Sequence, residues 1–188
     1  IASFNQANGS NLAATYNGTT LYDQNFFVAL DADDDVYVFG QSKGAYPVTG
    51  NLWSIPNSAQ YLHKFSSNLQ QSKKSIVFGN GARSVINISP TALMVDGCKS
   101  VYLSGWGGTV NIEGSTNGMP TTPDAVDSIT DGNDFYLLVL DGTWKFPEYA
   151  TFFGGPGAEH VDGGTSRFSP EGIIHQAVCA GCGGVSSF

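Results

Sequence analysis

The feature that most constrains this chain is that it repeats itself. Asp31-Ala32-Asp33-Asp34-Asp35-Val36-Tyr37-Val38-Phe39-Gly40 returns 65 residues later as Asp96-Gly97-Cys98-Lys99-Ser100-Val101-Tyr102-Leu103-Ser104-Gly105. Each copy reads as a strand, an acidic turn, a second strand and a glycine. The residues before the turn agree as well, because Phe26-Phe27-Val28-Ala29-Leu30 falls on Thr91-Ala92-Leu93-Met94-Val95. Strand, turn and strand in that order predict a β-hairpin.

A second pair of strings follows 75 residues apart: Tyr61-Leu62-His63-Lys64-Phe65 falls on Tyr136-Leu137-Leu138-Val139-Leu140, and Ile76-Val77-Phe78-Gly79 on Thr151-Phe152-Phe153-Gly154. The longer offset places an insertion in 109–123, a Gly, Asn, Thr and Pro stretch of loop composition. A third copy starts at 163–169, turns at Pro170-Glu171-Gly172 and continues through Ile173-Ile174-His175-Gln176-Ala177-Val178. Each unit thus reads as four short strands, the construction of a β-propeller blade. The expected fold is all-β, a partial β-propeller of four-stranded antiparallel blades, with a β-sandwich as the alternative. Residues 1–25 are read as the end of a preceding blade or lead-in strands. Residues 26–90 form one blade-like repeat, 91–160 a second with the long insertion, and 161–188 the first hairpin of a further one. The units exceed the roughly 40 to 50 residues of compact blades, so long loops should project from one face. Helix is expected nowhere beyond a brief turn in 66–74. A closed propeller needs at least four blades. The chain is therefore expected to be part of a longer one, with further blades of the same polypeptide or a partner protein against its end units.

Composition supports this and excludes several roles. With 41% hydrophobic and only 13% charged residues the chain should fold, and 24 Gly and 8 Pro among many aromatic and β-branched residues favour strands and tight turns. The net charge of -8 repels phosphate backbones and anionic lipid, so nucleic acid is not an expected partner. No apolar run approaches the ~18 residues of a membrane span, and Ile1-Ala2-Ser3-Phe4 lacks a basic, apolar leader pattern. A surface poor in Lys and rich in Asn, Ser, Thr and Gly fits a secreted protein.

Three strings then carry a resemblance: 101–108, Val101-Tyr102-Leu103-Ser104-Gly105-Trp106-Gly107-Gly108; 130–137, Thr130-Asp131-Gly132-Asn133-Asp134-Phe135-Tyr136-Leu137; and Ala150-Thr151-Phe152-Phe153-Gly154. Together they resemble repeats of the large cell-surface propeller proteins of gliding bacteria, which usually carry a type IX secretion signal. Glu159-His160-Val161-Asp162-Gly163-Gly164-Thr165-Ser166-Arg167-Phe168, followed by Cys179-Ala180-Gly181-Cys182-Gly183-Gly184, is similar to the most distinctive block of that family. The resemblance covers about 26–184 and implies a secreted or surface-anchored propeller without a catalytic set. It further implies a role in adhesion, gliding or assembly with the outer-membrane secretion apparatus. Trp106, Asp162 and Arg167 are its motif residues. His175 departs from the family's tyrosine, a change of surface packing.

Several groups have the residue types that chemistry would need. Asp31, Asp33 and Asp35 have the one-three-five spacing of a calcium loop, yet the sixth and twelfth positions are Val36 and Ser42 where an EF-hand needs Gly and Glu, so a solvated hairpin turn is the better account. Cys179 and Cys182 form a lone Cys-x-x-Cys. A local disulfide or two inert thiols fits it better than zinc, which needs four ligands, or redox chemistry, which needs a helix. Asp162 and Arg167 flank Gly163-Gly164 and suit a bent turn closed by a guanidinium bond. Asp141-Gly142-Thr143-Trp144 lacks the upstream hydroxyl residue and spacing of a sialidase box and reads as a β-turn. No hydrolase, metalloprotease or phosphate-loop motif occurs. The expected protein is not an enzyme and holds no cofactor, with calcium at Asp31, Asp33 and Asp35 as the alternative. Trp53, Trp106 and Trp144 can stack on sugars if exposed, which keeps a glycan-binding module or a glycan-active enzyme as the rival readings.

Overall fold

The computed structural model describes residues 1–108, 114–161, 166–169, 171, 173–177 and 179–180. Among these, all regular structure is β. Strands β1 (Ala2–Phe4) and β2 (Asn11–Ala14) form a hairpin. The first sheet contains β3 (Asp23–Leu30), β4 (Val36–Ser42), β5 (Gln60–Phe65) and β6 (Ser72–Phe78), antiparallel and in chain order. The second sheet repeats it with β7 (Ser89–Val95), β8 (Val101–Trp106), β9 (Phe135–Leu140) and β10 (Pro147–Phe153). Beyond it, β11 (Glu159–His160) pairs with β14 (Cys179–Ala180), and β12 (Ser166–Phe168) with β13 (Ile174–Gln176). The chain is all-β and built on four-stranded antiparallel sheets. The brief helical turn expected in 66–74 does not form, because 66–71 make the turn into β6.

The repeats agree down to register. Leu30 pairs with Val36, Val95 with Val101 and Phe168 with Ile174, the same position in each of three hairpins. A bulge follows Asn25 on β3 and Pro90 on β7, opposite Gly40 and Gly105 respectively. A Cβ on Gly40 would collide with the Gln24 carbonyl, and one on Gly105 would stand 2.7 Å from the Ser89 carbonyl, which is why both copies keep glycine there.

One turn design closes four of the hairpins. The Asp34 N–H donates to the Asp31 carbonyl and the Asp31 N–H to the Asp35 carbonyl, a type I turn followed by a left-handed residue. Both bonds recur at Asp96, with Lys99 and Ser100, while at Ser66 and Asp141 the inner bond recurs from Leu69 and Trp144 and the closing bond reaches one residue further, to the Gln71 and Phe146 carbonyls. The left-handed position is taken by Asp34 (φ 59), Lys99 (φ 67), Leu69 (φ 59) and Trp144 (φ 64), none of them glycine. The strain of that conformation is offset by the first side chain of the turn. Asp31 Oδ1 accepts the Asp33 and Asp35 N–H groups at 3.0 Å, Asp96 Oδ1 accepts those of Cys98 and Ser100 at 2.9 and 2.8 Å, and the Ser66 hydroxyl oxygen accepts that of Gln71. The third repeat uses Ser169 at this place.

The main core lies between the two sheets. Tyr37, Phe39, Leu62, Ile76 and Phe78 of the first meet Val101, Leu103, Tyr136, Leu138 and Phe152 of the second. Alternate residues of the first sheet, Val36, Val38, Tyr61 and Val77, enter a second core that the β1–β2 hairpin covers with Ile1 and Ala13. Period-two alternation over two buried faces explains why β4 is buried along its whole length. Trp144 locks the sheets together. Its ring lies 5.8 Å from Tyr37, its carbonyl accepts the Trp53 N–H at 2.8 Å, and the Lys74 ammonium sits 5.5 Å above it while donating to the Gly142 carbonyl. Phe39 is fully buried and Val28 is 57% exposed. Phe39→Ala is therefore expected to lower unfolding free energy by about 3 to 5 kcal/mol. Val28→Ala should stay within about 0.5 kcal/mol, both read from urea denaturation midpoints.

Candidate functional site

The acidic turn between β3 and β4 gathers three carboxylates within reach of one another. Asp31, Asp33 and Asp35 come together as their spacing suggested, but the turn is not solvated throughout: Asp31 and Asp35 are buried, and only Asp33 of the three is exposed. Lysines from distant strands fill the space between them. Lys64 on β5 reaches Asp31 at 2.7 Å and Asp35 at 2.9 Å, Lys73 on β6 reaches Asp35 at 2.6 Å, and Lys99 from the next repeat pairs with Asp33. The Tyr37 hydroxyl donates to Asp31 at 3.0 Å, and its ring lies 4.7 Å beneath the Lys64 ammonium. A calcium ion would have to displace three ammonium groups here, so the donor set is that of an ion-pair cluster.

Ionisation follows from these contacts. Burial opposes charge on Asp31, but the bonds from Lys64, from the Asp33 and Asp35 N–H groups and from Tyr37 outweigh it and hold the carboxyl at about 2. Burial likewise opposes charge on Lys64, and Asp31, Tyr37 and Asp35 hold it above the usual lysine range. Burial pushes the Tyr37 phenol up to about 12. On the other face of the sheet, burial holds His63 down at about 4. Its Nδ1 meets the Tyr46 hydroxyl at 2.8 Å, its Nε2 meets Ser72, and its ring stacks on Phe65. The buried groups Asp31, Lys64, Tyr37 and His63 are each hydrogen-bonded within the protein, an arrangement that builds structure.

Trp106 ends β8 and packs 5.6 Å from the His160 ring. Arg167 lies exposed on β12, opposite His175. Asp162 and Cys182 lie outside the described residues, as does the side chain of Cys179, so the proposed turn and disulfide fall there too. Cys98 is an exposed free thiol on the second turn. Of the three tryptophans Trp144 is fully buried, whereas Trp53, which packs on Phe78, and Trp106 are half-buried.

One pair escaped the sequence reading. Asp134 and Glu159 are both buried, and Asp134 Oδ1 and Glu159 Oε2 both stand within 2.6 Å of the place a Cβ on Gly154 would occupy. Burial raises both carboxyls, and each also raises or feels neighbouring carboxylates, Asp131 among them. The repeat alignment carries the available signal, since it places Asp134 next to the Tyr136 strand and Glu159 just past the Phe-Gly ending. Buried this deeply, the pair does not line a cleft into which a glycan could enter. No family model matches the chain, and no curated protein is significantly similar to it.

The pH dependence has a definite sign. Asp31 falls from its ordinary 3.8 to about 2 on folding, so its stabilising contribution is complete above 3.8 and is lost as pH falls through about 2. His63 falls from 6.5 to about 4, so its contribution is lost as pH drops from 6.5 toward 4. Urea midpoints measured against pH should show both stages, with Asp31→Asn removing only the lower one and His63→Phe only the upper. Lys64→Ala, which strands buried carboxylates, should cost about 3 to 5 kcal/mol at neutral pH.

Proposed function

We propose that this chain is a non-catalytic segment of a secreted or cell-surface β-propeller, acting in adhesion, gliding or assembly with a type IX secretion machinery. The observation that carries the propeller reading is one-way stacking of like units. The first strands touch in sequence, β3 against β7 and β7 against β12, and the three hairpins share one register. The third hairpin adds to the second sheet as the second adds to the first, with Phe168 5.9 Å from Tyr102. A two-layer sandwich ends after two sheets, whereas first strands that adjoin in turn follow the inner rim of a propeller. In the other direction β3 shows Phe26, Val28 and Leu30 to solvent, 37%, 57% and 56% exposed, beside a groove bordered by Ile1 and Leu69. A further four-stranded blade is the occupant this face suits.

The role as a surface protein rests on the resemblance of its motifs and on its composition. The non-catalytic reading is supported by the Asp31 and Asp35 carboxylates closed off by lysines and by the full burial of Trp144. Electron microscopy of the purified protein is expected to show a ring, or an arc of one, in which four-stranded units repeat about an axis; a closed two-layer particle would overturn the propeller reading. Incubated with a panel of polysaccharides, the protein should release no reducing sugar. Turnover abolished by a single Asp→Asn change would replace this role with that of a glycan-active enzyme.

A further inference from the structure

The two complete repeats solve the same structural problem with different chemistry, and the difference singles out Asp134 and Glu159. After the Phe-Gly that ends each unit, the chain turns and its first free N–H needs an acceptor. In the first repeat the Asn80 N–H donates to Asn87 Oδ1 at 3.1 Å, and the rest of that amide is satisfied because Nδ2 donates to the Ser115 carbonyl at 2.7 Å. Asn87 Oδ1 stands 2.5 Å from the place a Cβ on Gly79 would occupy. In the second repeat the Gly155 N–H donates to Glu159 Oε1 at 3.2 Å, in the same place beside Gly154. Here, however, the second oxygen, Glu159 Oε2, is buried without any hydrogen-bond partner.

Facing it is another acid. The position 75 residues before Asp134 is Ala59, so the second repeat replaces a buried alanine and amide with two buried carboxylates. Thr130 donates its hydroxyl to Asp134 Oδ2, which leaves Oδ1 converging with Glu159 Oε2 on the Gly154 turn. Asp127 and Asp131 add negative charge to the surroundings of Asp134. The neutral version in the first repeat shows that the fold itself does not need these charges. Two like charges buried side by side demand a counter-charge.

We propose that Asp134 and Glu159 are ligands of a bound divalent cation, calcium, held beneath the glycine-rich turn that follows β10. Among the described residues the donors that converge beside Gly154 are carboxylate oxygens, which favour a hard cation. Calcium accepts irregular oxygen sets that include backbone carbonyls, whereas magnesium requires near-octahedral geometry and keeps its waters. A single shared proton would cancel only one of the two charges. This site is independent of the proposed surface role.

The test uses the whole chain after chelator treatment, with calcium, magnesium or sodium chloride added at matched ionic strength and neutral pH. Calcium is expected to raise the thermal midpoint in a saturable way, with one ion per chain by calorimetric titration. At a calcium concentration 100 times the dissociation constant, the unfolding equilibrium constant should fall about 100-fold. Asp134→Ala and Glu159→Gln copy the chemistry of the first repeat and should fold, yet lose the calcium effect. If Asp134→Ala does not fold, Asp134→Asn, which keeps the acceptor for Thr130, takes its place. Absence of any calcium effect on the wild type, with the variants more stable than it at neutral pH, would overturn the proposal in favour of a shared proton. A calcium effect that survives in both variants would also overturn it.

Discussion

The buried Asp31 carboxylate is the constraint on which the first repeat depends. Its two oxygens accept two backbone N–H groups of the turn, the Tyr37 hydroxyl and the Lys64 ammonium. One side chain thereby fixes the hairpin, pins β5 to it, and orients a tyrosine that enters the main core. The cost is the desolvation of two charges, repaid only because every lone pair is used. Loss of one partner exposes that whole cost, which is why such a pair governs specificity more than net stability.

The repeats carry this device to different extents. In the second repeat Asp96 still receives its two turn N–H groups and the Tyr102 hydroxyl, but Val139 stands where Lys64 would be. In the third, Ser169 begins the turn. The pairing register across the turn survives both replacements, so it does not depend on the lysine or on the aspartate. The lysines answer a second requirement, the neutralisation of Asp33 and Asp35, where the second repeat has Cys98 and Ser100.

How much of this was legible follows from the range of each interaction. Hairpins, their matched positions and the all-β class could be read because strand, turn and strand are local and repeat at fixed offsets. The pairing of Asp35 with Lys73 could not, since the partner lies 38 residues away and the tertiary fold alone brings it in. The same holds for Asp134 and Glu159, which meet only because β9 and the end of β10 lie side by side. Trp144 misled in another way. It reads as an ordinary β-turn residue in sequence, and nothing local announces that a tryptophan will hold the left-handed position, paid for by packing on Tyr37 and under Lys74.

Stacked units built from similar apolar faces face a problem of order, because any one could in principle pack on any other. Area burial does not discriminate among them. The contacts between the first and second sheets that do discriminate are polar and use residues the repeats do not share. Lys99 pairs with Asp33, Lys74 donates to the Gly142 carbonyl, and the Gln60 amide binds both the N–H of Asn87 and the carbonyl of Ile88. At the positions matching Lys74 and Gln60 the second repeat has Tyr149 and Phe135, so it cannot offer the same grip to its own neighbour. A first sheet placed after the second would leave the Gln60 amide, now buried, without partners, at the cost of its full desolvation. The hydrophobic layers hold the stack together, and this handful of unshared polar groups sets the sequence in which its members stand.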